Sequence, residues 1–441
     1  MEKTKVAIVG MGTVGTGVAK ILLDHGDRTA LHAGRVLWLE KVVVSNLAKQ
    51  RDCDLPDGVL TDNLEDVTSN PDIDVVAQLI GGIEPARTIM KTLLESGKDV
   101  VTANKALLAE HGPELFDLAR KLGRSIAFEA SVAGGVPIIT GIGQCLTANQ
   151  VVSLGGILNG TSNFIVSEME GHGAAYDDAV KSAQELGYAE ADPTMDVDGT
   201  DAVQKLAILA HLAFGARVSW KDIPKVGIDS LKKEDIAYAR ELGYRVKLLA
   251  IAKLAEPENL PGGLDLHVSP TLVREGTPLA EVRGANNAIS VVGDAVGRVF
   301  FHGLGAGQMP TASAVVADLI DTAVGRTQLT FRTLQLWSDR EARVELRDPK
   351  LTPSRYYLRL LVQDHPGVLA EVTGILGKHD ISIASVIQHE PEGENVPLVI
   401  MTHEATEGAA LAATNEIDAL DWTKTETVRM RVLERRETAR A

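Results

Sequence analysis

The stretch KVAIVGMGTVGTGVAKILL, residues 5–23, decides the fold. Lys5–Val9 is a short apolar strand, and Thr13–Leu23 has the pattern of a helix. Between them stands GMGTVG, in which the first glycine permits a tight turn, the second a close approach by a ligand, and the third tight packing of helix on strand. The helix N-terminus adds exposed N–H groups and positive potential. This placement predicts a dinucleotide-binding turn at the start of a doubly wound sheet.

Strands and helices alternate through roughly the first 130 residues. After the quoted stretch, strand and helix patterns follow one another at Val42–Ser45, Asp74–Ile80, Ala86–Leu94, Lys98–Thr102, Leu115–Leu122 and Ser125–Glu129. Strands separated by helices at this spacing form crossover units and a parallel sheet. The sequence therefore predicts an α/β chain whose N-terminal domain, residues 1–131, is a Rossmann-like, doubly wound parallel sheet.

The pattern changes after residue 131. Residues 132–305 combine longer helices with glycine-rich extended pieces, which predicts a second, α+β domain. A return helix over about 306–335 is strongly apolar and is expected to pack back onto the first domain. Residues 336–354 are charged, contain two prolines and are typical of a linker. Residues 355–435 follow a β-α-β-β-α-β order, which predicts a ferredoxin-like domain.

Composition narrows the class of protein. The chain has 441 residues, of which 45% are hydrophobic and 24% charged, a balance typical of globular proteins and unlike disordered ones. Its net charge of −16 argues against nucleic-acid binding, which favours a basic patch. No stretch of about 18 uncharged apolar residues is present, so no membrane span is expected. The two cysteines, Cys53 and Cys145, need no disulfide framework, which favours a reducing, cytoplasmic compartment.

The residues after the second strand bear on the identity of the dinucleotide. Ser45-Asn46 stand where NAD-binding proteins carry an Asp or Glu for the ribose hydroxyls, with Lys49 and Arg51 just beyond. Small polar and basic groups suit a 2′-phosphate, so NADP is favoured and NAD stays an alternative. The other interpretation of Lys49 and Arg51 is that they are solvated loop charges.

Three further segments carry polar residues in positions suited to chemistry. Asn104 and Lys105 follow a strand at its carboxyl end, where open α/β sheets bind ligands. Residues 159–163, Asn-Gly-Thr-Ser-Asn, precede an apolar helix, and a turn followed by a helix cap would also explain them. Asp201 and Lys205 lie one turn apart on a largely apolar helix. A surface ion pair is the common meaning of such a spacing, but a charged pair on a buried helix points to function.

Seven segments together resemble the homoserine dehydrogenase family. They occur in the family's order over roughly residues 5–325 and read GMGTVG, LIGGIEPA, VVTANKALL, EASVAGGVPII, LNGTSNFI, GYAEADPTMDVDGTDAVQKL and GAGQMPTASAV. The segment LLVQDHPGVLAEVTGILGKHDISIASV resembles an ACT domain. This layout is similar to the longer bacterial form of the enzyme, in which the domain of residues 132–305 binds substrate and forms the dimer.

The resemblance implies reversible, NAD(P)H-dependent reduction of L-aspartate 4-semialdehyde to L-homoserine, on the route to threonine, methionine and isoleucine. It implies that Lys205 is the general acid, that Lys105 is a second active-site lysine, and that Asp201 is a substrate-side carboxylate. On chemical grounds, Asp201 would orient Lys205 or pass protons. The chemistry agrees, because hydride delivery to an aldehyde builds negative charge on oxygen, which an ammonium group can neutralise and protonate.

The same resemblance implies the remaining site residues. Glu190 is expected to hold the substrate's amino group, and Gly187 to contact substrate and cofactor. The further substrate-binding residues expected are Asn159 and Thr161. The cofactor-binding residues expected are Gly10, Gly12, Thr13, Val14, Gly15, Lys105, Gly187 and Gly305. A sodium ion is expected on backbone carbonyls and one carboxylate of a loop that contains Glu129, Val132, Gly134 and Val136.

The C-terminal domain carries a candidate effector site. Asp364-His365-Pro366-Gly367 separates a strand from a helix and would present backbone N–H groups to an amino acid's carboxylate. The resemblance implies feedback inhibition by threonine through this domain, and pairing of such domains in a homodimer or homotetramer. The alternative is a well-capped turn in a domain that only assists assembly.

Two other functions stay open on the sequence alone. A phosphorylating semialdehyde dehydrogenase shares the cofactor fold but attacks the aldehyde with a cysteine thiolate. Cys53 lies in a polar loop, whereas Cys145 is expected to be buried in an apolar context, and neither has a clear histidine partner in the sequence. A non-catalytic sensor would bind the dinucleotide and an amino acid without turnover.

Overall fold

The computed structural model describes residues 1–255, 262–337, 344–389 and 395–433. Three predicted segments therefore lie partly outside the described residues: the α+β domain at 256–261, the linker at 338–343, and the C-terminal domain at 390–394 and 434–435. Within the described ranges, no helix combines the length and the apolar character that crossing a membrane requires.

The strands and helices are numbered in chain order. The strands are β1 (Lys3–Val9), β2 (Val36–Val43), β3 (Leu60–Thr61), β4 (Ile73–Gln78), β5 (Asp99–Thr102), β6 (Ile126–Ala127), β7 (Val151–Ile157), β8 (Tyr244–Leu254), β9 (Leu264–Arg274), β10 (Asn286–Gly293), β11 (Gly297–Leu304), β12 (Pro353–Gln363), β13 (Ile383–Gln388), β14 (Asn395–Thr402), β15 (Ala405–Thr406) and β16 (Val428–Leu433). The helices are α1 (Thr13–Asp24), α2 (Gly26–Ala33), α3 (Glu65–Thr68), α4 (Ala86–Glu95), α5 (Lys105–Lys121), α6 (Ile138–Thr140), α7 (Gly160–His172), α8 (Tyr176–Glu185), α9 (Thr194–Val197), α10 (Thr200–Phe214), α11 (Lys233–Glu241), α12 (Gln308–Ala323), α13 (Arg326–Leu334), α14 (Val368–Lys378) and α15 (Glu407–Asp418).

The chain divides into two compact units. The first comprises Met1–Val151, Gln204–Asp222 and Arg298–Val344, and the second comprises Val152–Val203, Ile223–Gly297 and Glu345–Ala441. The first four residues of α10 thus belong to the second unit and its remainder to the first. The domain boundaries expected at residues 131, 305 and 354 remain predictions.

The first unit contains the parallel sheet that the alternating pattern predicts. Its strand order is β3-β2-β1-β4-β5-β6, and every neighbouring pair is parallel. The order reverses at β1, so β1 and β4 diverge from a switch point, where ligands bind at the carboxyl ends of the strands. This confirms the Rossmann-like, doubly wound fold.

The return segment packs into the core of the first unit but is two helices rather than one. Ala312, Val315 and Leu319 of α12 lie in the same buried cluster as Val6 and Ile8 of β1. Helix α12 ends before Gly325, which adopts a left-handed conformation with φ of 84°. A glycine takes this conformation without the steric penalty of a side chain, so the chain reverses there and α13 begins.

The second unit contains a mixed sheet in the order β10-β7-β8-β9-β16-β12-β14-β13, with β15 paired to β12. Its last four strands, together with α14 and α15, form the predicted ferredoxin-like domain with the order β16-β12-β14-β13. Strand β16 also pairs in parallel with β9, with Arg431 opposite Thr271. The ferredoxin-like sheet therefore continues, without a break, into the sheet of the preceding α+β segment.

Candidate active site

The glycine turn between β1 and α1 has the geometry that a dinucleotide requires. Gly10 has φ of +99°, and an added Cβ would lie 3.0 Å from the backbone of Leu79. An added Cβ on Gly15 would lie 2.2 Å from the carbonyl oxygen of Gly10, so helix and strand could not pack as they do. At Gly12, in contrast, nothing lies within 4 Å of an added Cβ. Two glycines thus serve packing, and the third leaves open space at the N-terminus of α1, which suits a pyrophosphate.

The loop after β2 is held together by one arginine. The guanidinium of Arg51 donates to the carbonyl oxygens of Asn46 and Lys49, at 2.6 and 2.7 Å. The Asn46 side chain accepts from the backbone N–H of Ala48 at 2.9 Å. Ser45, Asn46 and Lys49 are exposed. Arg51 therefore shapes the loop, and the ammonium of Lys49 is accessible to a ligand.

Asn104 organises the carboxyl edge of the sheet next to the glycine turn. Its side chain caps α5 by accepting from the N–H of Leu107 at 3.0 Å, and its amide donates to the carbonyls of Ile80 and Gly82, at 2.9 and 2.6 Å. It thereby ties the loop after β4 to the start of α5. Lys105 is the first residue of α5 and half-buried, so it stands at the same edge of the sheet as the glycine turn.

Helix α10 carries both Asp201 and Lys205 in buried positions. Asp201 is 3% exposed and Lys205 is 9% exposed. Val197, in the preceding helix α9, is also buried. Helix α10 is apolar over most of its length. The alternative of a surface ion pair is therefore wrong, because neither residue is more than 9% exposed.

The segment Asn159–Asn163 is both the predicted helix cap and a link to the acidic segment. The Asn159 side chain accepts from the N–H of Ser162 at 2.7 Å and so caps α7. Its amide nitrogen donates to Asp196 at 2.7 Å and to Asp201 at 2.8 Å. The Ser162 hydroxyl donates to the carbonyl oxygen of Asp196 at 2.6 Å. The start of α7 thus brings together two carboxylates that stand on α9 and α10.

The loop that contains Gly187 and Glu190 follows α8 and is exposed at both residues. Thr161 fixes it to α7, because its hydroxyl donates to the carbonyl oxygen of Tyr188 at 2.8 Å. The Tyr188 ring also lies 4.9 Å from the ring of Phe164 on α7. The carboxylate of Glu190 is thereby presented at the surface from an anchored loop.

The predicted sodium loop is built around a buried carboxylate. Glu129 is 5% exposed, and its oxygens accept from the backbone N–H groups of Ile139 and Thr140, at 2.9 and 2.7 Å. Burial raises the pKa of Glu129. Burial, with the nearby charge of Glu129, also raises the pKa of Asp318, which accepts from the backbone N–H of Glu129 at 2.8 Å.

The rest of this loop is tightly packed backbone. Ala133 and Gly134 both have positive φ, of 54° and 45°, and Val132 and Val136 are buried. An added Cβ on Gly134 would lie 2.5 Å from the carbonyl oxygen of Gly305, so the two predicted residues meet across the loop. Among the described residues, no group of three or more His, Cys, Asp or Glu side chains could hold a metal ion. A cation here would depend on carbonyl oxygens.

Comparison with known proteins decides the family. A family model described as homoserine dehydrogenase matches residues 137–320, and one described as homoserine dehydrogenase, NAD binding domain, matches residues 10–129. The chain belongs to the homoserine dehydrogenase family. It is accordingly an NAD(P)-dependent oxidoreductase that acts on a CH–OH group. An ACT domain model matches residues 356–421, which confirms the predicted C-terminal domain.

Individual homoserine dehydrogenases match over 72% to 98% of the chain. That of Pseudomonas aeruginosa is 43% identical over 98% of this chain and 99% of its own. The crystal structure of a homoserine dehydrogenase from Thiobacillus denitrificans superposes with a TM-score of 0.90 at 43% identity, over 98% of this chain and 99% of that one. A mutant hyperthermophilic archaeal homoserine dehydrogenase in complex with NADPH has a TM-score of 0.59 at 25% identity, over 72% of this chain and 97% of that one.

The cysteines do not support the thiolate chemistry of a phosphorylating semialdehyde dehydrogenase, and the homoserine dehydrogenase match excludes that class. Burial raises the pKa of Cys53, whereas a nucleophilic cysteine needs a lowered one. Cys145 is exposed, so the expectation that it is buried is wrong. It ends a short π-helical turn, Gly141–Cys145, whose apolar member Ile142 faces the interior instead.

Asp196 belongs to the cluster of polar residues around Asn159, although its sequence pattern does not distinguish it from neighbouring carboxylates. It lies within the quoted segment GYAEADPTMDVDGTDAVQKL, among Asp192, Asp198 and Asp201. No spacing rule distinguishes these four carboxylates. Asp196 and Asp201 differ from the others because both bind the amide of Asn159, which lies 37 and 42 positions away in the chain.

Proposed function

We propose that the protein catalyses the reversible, NAD(P)-dependent interconversion of L-aspartate 4-semialdehyde and L-homoserine, in the synthesis of threonine, methionine and isoleucine. The observation that carries the proposal is the buried pair of ionisable residues on α10, Asp201 and Lys205, in a chain of this family. Charged groups are rarely buried without a partner or a function, and an ammonium suits the oxygen of an aldehyde under reduction.

The roles follow from the charge that develops in the reaction. A bound nicotinamide supplies the hydride for reduction and accepts it for oxidation. Lys205 donates a proton to the substrate oxygen as negative charge grows there, and takes it back in the reverse direction. Lys105 contributes a second positive charge from the carboxyl edge of the parallel sheet. Asp201 orients the Lys205 ammonium.

Substrate recognition is proposed for the anchored loop after α8. Glu190 is exposed there and carries a carboxylate that suits the substrate's ammonium group. Gly187 has φ of +75° and no side chain, so its backbone is open to a ligand. Thr161 holds this loop in place through Tyr188.

NADP is the preferred cofactor in this proposal, with NAD usable. Gly10, Gly12, Thr13, Val14 and Gly15 would hold the pyrophosphate, and Gly305 would lie close to the cofactor. The exposed Ser45, Asn46 and Lys49 offer hydroxyl, amide and ammonium groups to a 2′-phosphate, with Arg51 shaping the loop. The archaeal relative was solved with NADPH, which supports the same choice.

A sodium ion is proposed at the loop of Glu129, Val132, Gly134 and Val136. The left-handed residues of this loop turn its backbone sharply, and the buried carboxylate of Glu129 supplies one anionic ligand. A cation bound there would stabilise the ionised form of Glu129 against the effect of burial.

The ACT domain is proposed to bind threonine as a feedback inhibitor, in a cytoplasmic homodimer or homotetramer. Residues 364–367 are exposed between β12 and α14, and Gly367 precedes the helix with φ of 102°. The N–H groups at the start of α14 suit the carboxylate of an amino acid.

The decisive experiment follows nicotinamide absorbance with homoserine and either NADP⁺ or NAD⁺, with and without threonine and with sodium or choline as the cation. We expect turnover with homoserine, a lower KM for NADP⁺, inhibition by threonine and stimulation by sodium. Absence of turnover with homoserine and both cofactors would overturn the substrate assignment. Light scattering on the same preparation measures the oligomer.

A further inference from the structure

The side chain of Asn159 is almost completely committed to other protein groups. A primary amide has two N–H donors and one carbonyl acceptor. One acceptor position of Asn159 receives the N–H of Ser162, at 2.7 Å, and the nitrogen donates to Asp196 at 2.7 Å and Asp201 at 2.8 Å. Asn159 is 4% exposed. Neither donor is left for a ligand, so a direct contact between this side chain and the substrate would depend on the second lone pair of the amide oxygen.

The two carboxylates are held close together by this one nitrogen. Their bonded oxygens can be no farther apart than the sum of the two donor distances. Two carboxylates at such a separation raise each other's affinity for protons, and one tends to become neutral. Hydrogen bonds from an amide favour the ionised form instead. The amide is itself neutral, so it stabilises both charges without cancelling either of them. A lysine or arginine in its place would cancel one of the charges.

The amide is also fixed in orientation. Asn159 caps α7, and the next residue, Gly160, packs so closely that an added Cβ would lie 2.6 Å from the carbonyl oxygen of Ala285. The loop that contains Ala285 is itself tied to α7, because the amide of Asn163 donates to the carbonyls of Val282 and Gly284, at 3.3 and 2.9 Å. Rotation of the Asn159 side chain would break the cap and both bonds to the carboxylates.

A buried lysine reinforces this support. Lys247 on β8 is fully buried, and its ammonium donates to the carbonyl of Val282 at 2.6 Å and to the side chain of Asn163 at 3.3 Å. Burial lowers the pKa of Lys247 to about 8. Burying an ammonium group costs free energy of desolvation. Here the Lys247 ammonium holds in place the loop against which the Asn159–Gly160 turn packs.

We propose that Asn159 is a positioning residue, whose neutral amide keeps the carboxylates of Asp196 and Asp201 ionised and at a fixed separation in the active site. The inference rests on the proposed oxidation of homoserine, in which Asp201 takes part. Asn159 then acts on the reaction only through these two carboxylates and makes no contact with the substrate.

Two substitutions separate this role from that of a helix cap. Serine and aspartate both cap helices well, so Asn159→Ser and Asn159→Asp keep the bond from Ser162 and lose the amide donor. We expect each variant to bind NADPH with unchanged Kd and to lose roughly 10- to 100-fold in kcat/KM for homoserine. The acid limb of the pH profile of kcat/KM should move to higher pH by about one unit, and farther for Asn159→Asp, which adds a third carboxylate.

A cap elsewhere provides the matched control. Thr406 caps α15 in the ACT domain by accepting from the N–H of Ala409 at 3.3 Å. Thr406→Ala should lower Tm slightly and leave the pH profile without threonine unchanged. Thermal unfolding of all variants shows whether a loss of rate reflects loss of fold.

The outcomes are distinct. If the wild-type protein does not oxidise homoserine, the proposed function fails before this inference is reached. If it does, and either folded variant has wild-type kcat/KM and the same acid limb, the positioning role is wrong. A raised KM for homoserine with an unmoved acid limb would also overturn it, because that pattern indicates direct contact with the substrate.

Discussion

Arg359 on β12 and Asp235 on α11 form a buried ion pair. The guanidinium donates from Nε and Nη2 to the two carboxylate oxygens, at 2.5 and 2.9 Å, and the Asp235 side chain is 0% exposed. Asp235 also accepts from the Tyr357 hydroxyl at 3.1 Å and from the N–H of Lys232 at 3.0 Å. Burial, and next the charge of Asp235, raise the pKa of Tyr357, so its hydroxyl stays a donor. This one carboxylate therefore joins the ACT domain to the segment that precedes it.

Removing Asp235 should destabilise the protein strongly. Asp235→Ala leaves the Arg359 guanidinium buried without its counter-charge, and such changes cost about 3–5 kcal/mol. We expect a clear fall in Tm by calorimetry. Glu416→Ala serves as the control, because Glu416 pairs with Lys378 at 2.8 Å in a partly exposed position and such pairs contribute about 1 kcal/mol at most. Equal effects of the two substitutions would contradict the importance of the buried pair.

Replacing Lys205 tests the general acid. Lys205→Met keeps the length and apolar stem of a buried side chain but removes the ammonium. We expect kcat for homoserine to fall about 10²- to 10⁴-fold while the Kd for NADPH, measured by fluorescence, stays unchanged. Lys221→Met is the matched control, since Lys221 is exposed and pairs only at the surface with Glu110, at 2.7 Å. Near-normal turnover by Lys205→Met would refute the assignment.

Alanine at three glycines should separate packing from ligand binding. Gly15→Ala places a Cβ 2.2 Å from the Gly10 carbonyl oxygen, so both Tm and cofactor affinity should fall. Gly12→Ala meets nothing within 4 Å, so Tm should be retained while the methyl group fills the space that a pyrophosphate needs. Gly26→Ala also meets nothing within 4 Å and lies outside the turn, so neither property should change. Unchanged NADPH affinity in Gly12→Ala would place the pyrophosphate elsewhere.

The charge on Lys49 should strengthen the binding of NADPH and have little effect on the binding of NADH. Its ammonium is exposed in the loop after β2, where it would meet a 2′-phosphate. Lys49→Ala should raise the Kd for NADPH several-fold and leave the Kd for NADH within about twofold, because only NADPH carries the extra anionic group. Lys3→Ala, another exposed lysine, provides the comparison. An equal loss for both cofactors would show that Lys49 does not read the 2′-phosphate.

His211 should make stability depend on pH in the acid range. The imidazole is buried and stacked on Trp337, 4.5 Å away, and one ring nitrogen lies 2.9 Å from the carbonyl oxygen of Ala216. Burial lowers the pKa of His211 from 6.5 to about 4. A lowered pKa in the folded state means that the stabilisation is fully present above pH 6.5 and is lost as the pH falls through about 4.

Because of His211, the free energy of unfolding should fall by about 3 kcal/mol as the pH is lowered from 6.5 to about 4. His211→Gln cannot titrate, so its Tm should depend less on pH between 7 and 4 than that of the wild-type protein. His32→Gln, at an exposed histidine, should follow the wild-type curve. A wild-type slope in His211→Gln would mean that other groups cause the acid sensitivity.

Local features and the overall arrangement of strands and helices could be predicted, whereas particular side-chain contacts between distant parts of the chain could not. The glycine turn was predictable because Gly10, Gly12 and Gly15 act within six residues of one another. The capping role of Asn159 was equally local. Its hydrogen bonds to Asp196 and Asp201 were not predictable, because these carboxylates lie 37 and 42 positions away in the chain.

Some features were not predicted correctly because the neighbouring residues in the sequence indicate a different environment from the one in the fold. Cys145 follows apolar residues, yet the helical geometry turns it outwards. The return segment has an almost continuous apolar pattern, and the break at Gly325 depends on a left-handed backbone that the pattern does not encode. The bonds of the Glu129 carboxylate to two backbone N–H groups are a tertiary feature that the sequence does not reveal, and its role as a cation ligand stays a prediction.

The pairing of β16 with β9 limits how the ACT domain can move. Three consecutive residues of β16, Arg431, Val432 and Leu433, pair with β9, while the opposite edge of the same strand pairs with β12. A hinge motion of the ACT domain would have to break the hydrogen bonds of one of these two strand pairs. The proposed binding of threonine would therefore act on the rest of the chain through twist or sliding within a continuous sheet. Truncation of the chain before Val428 would remove β16 and leave one edge of β9 unpaired. An unpaired strand edge can pair with the strands of other chains.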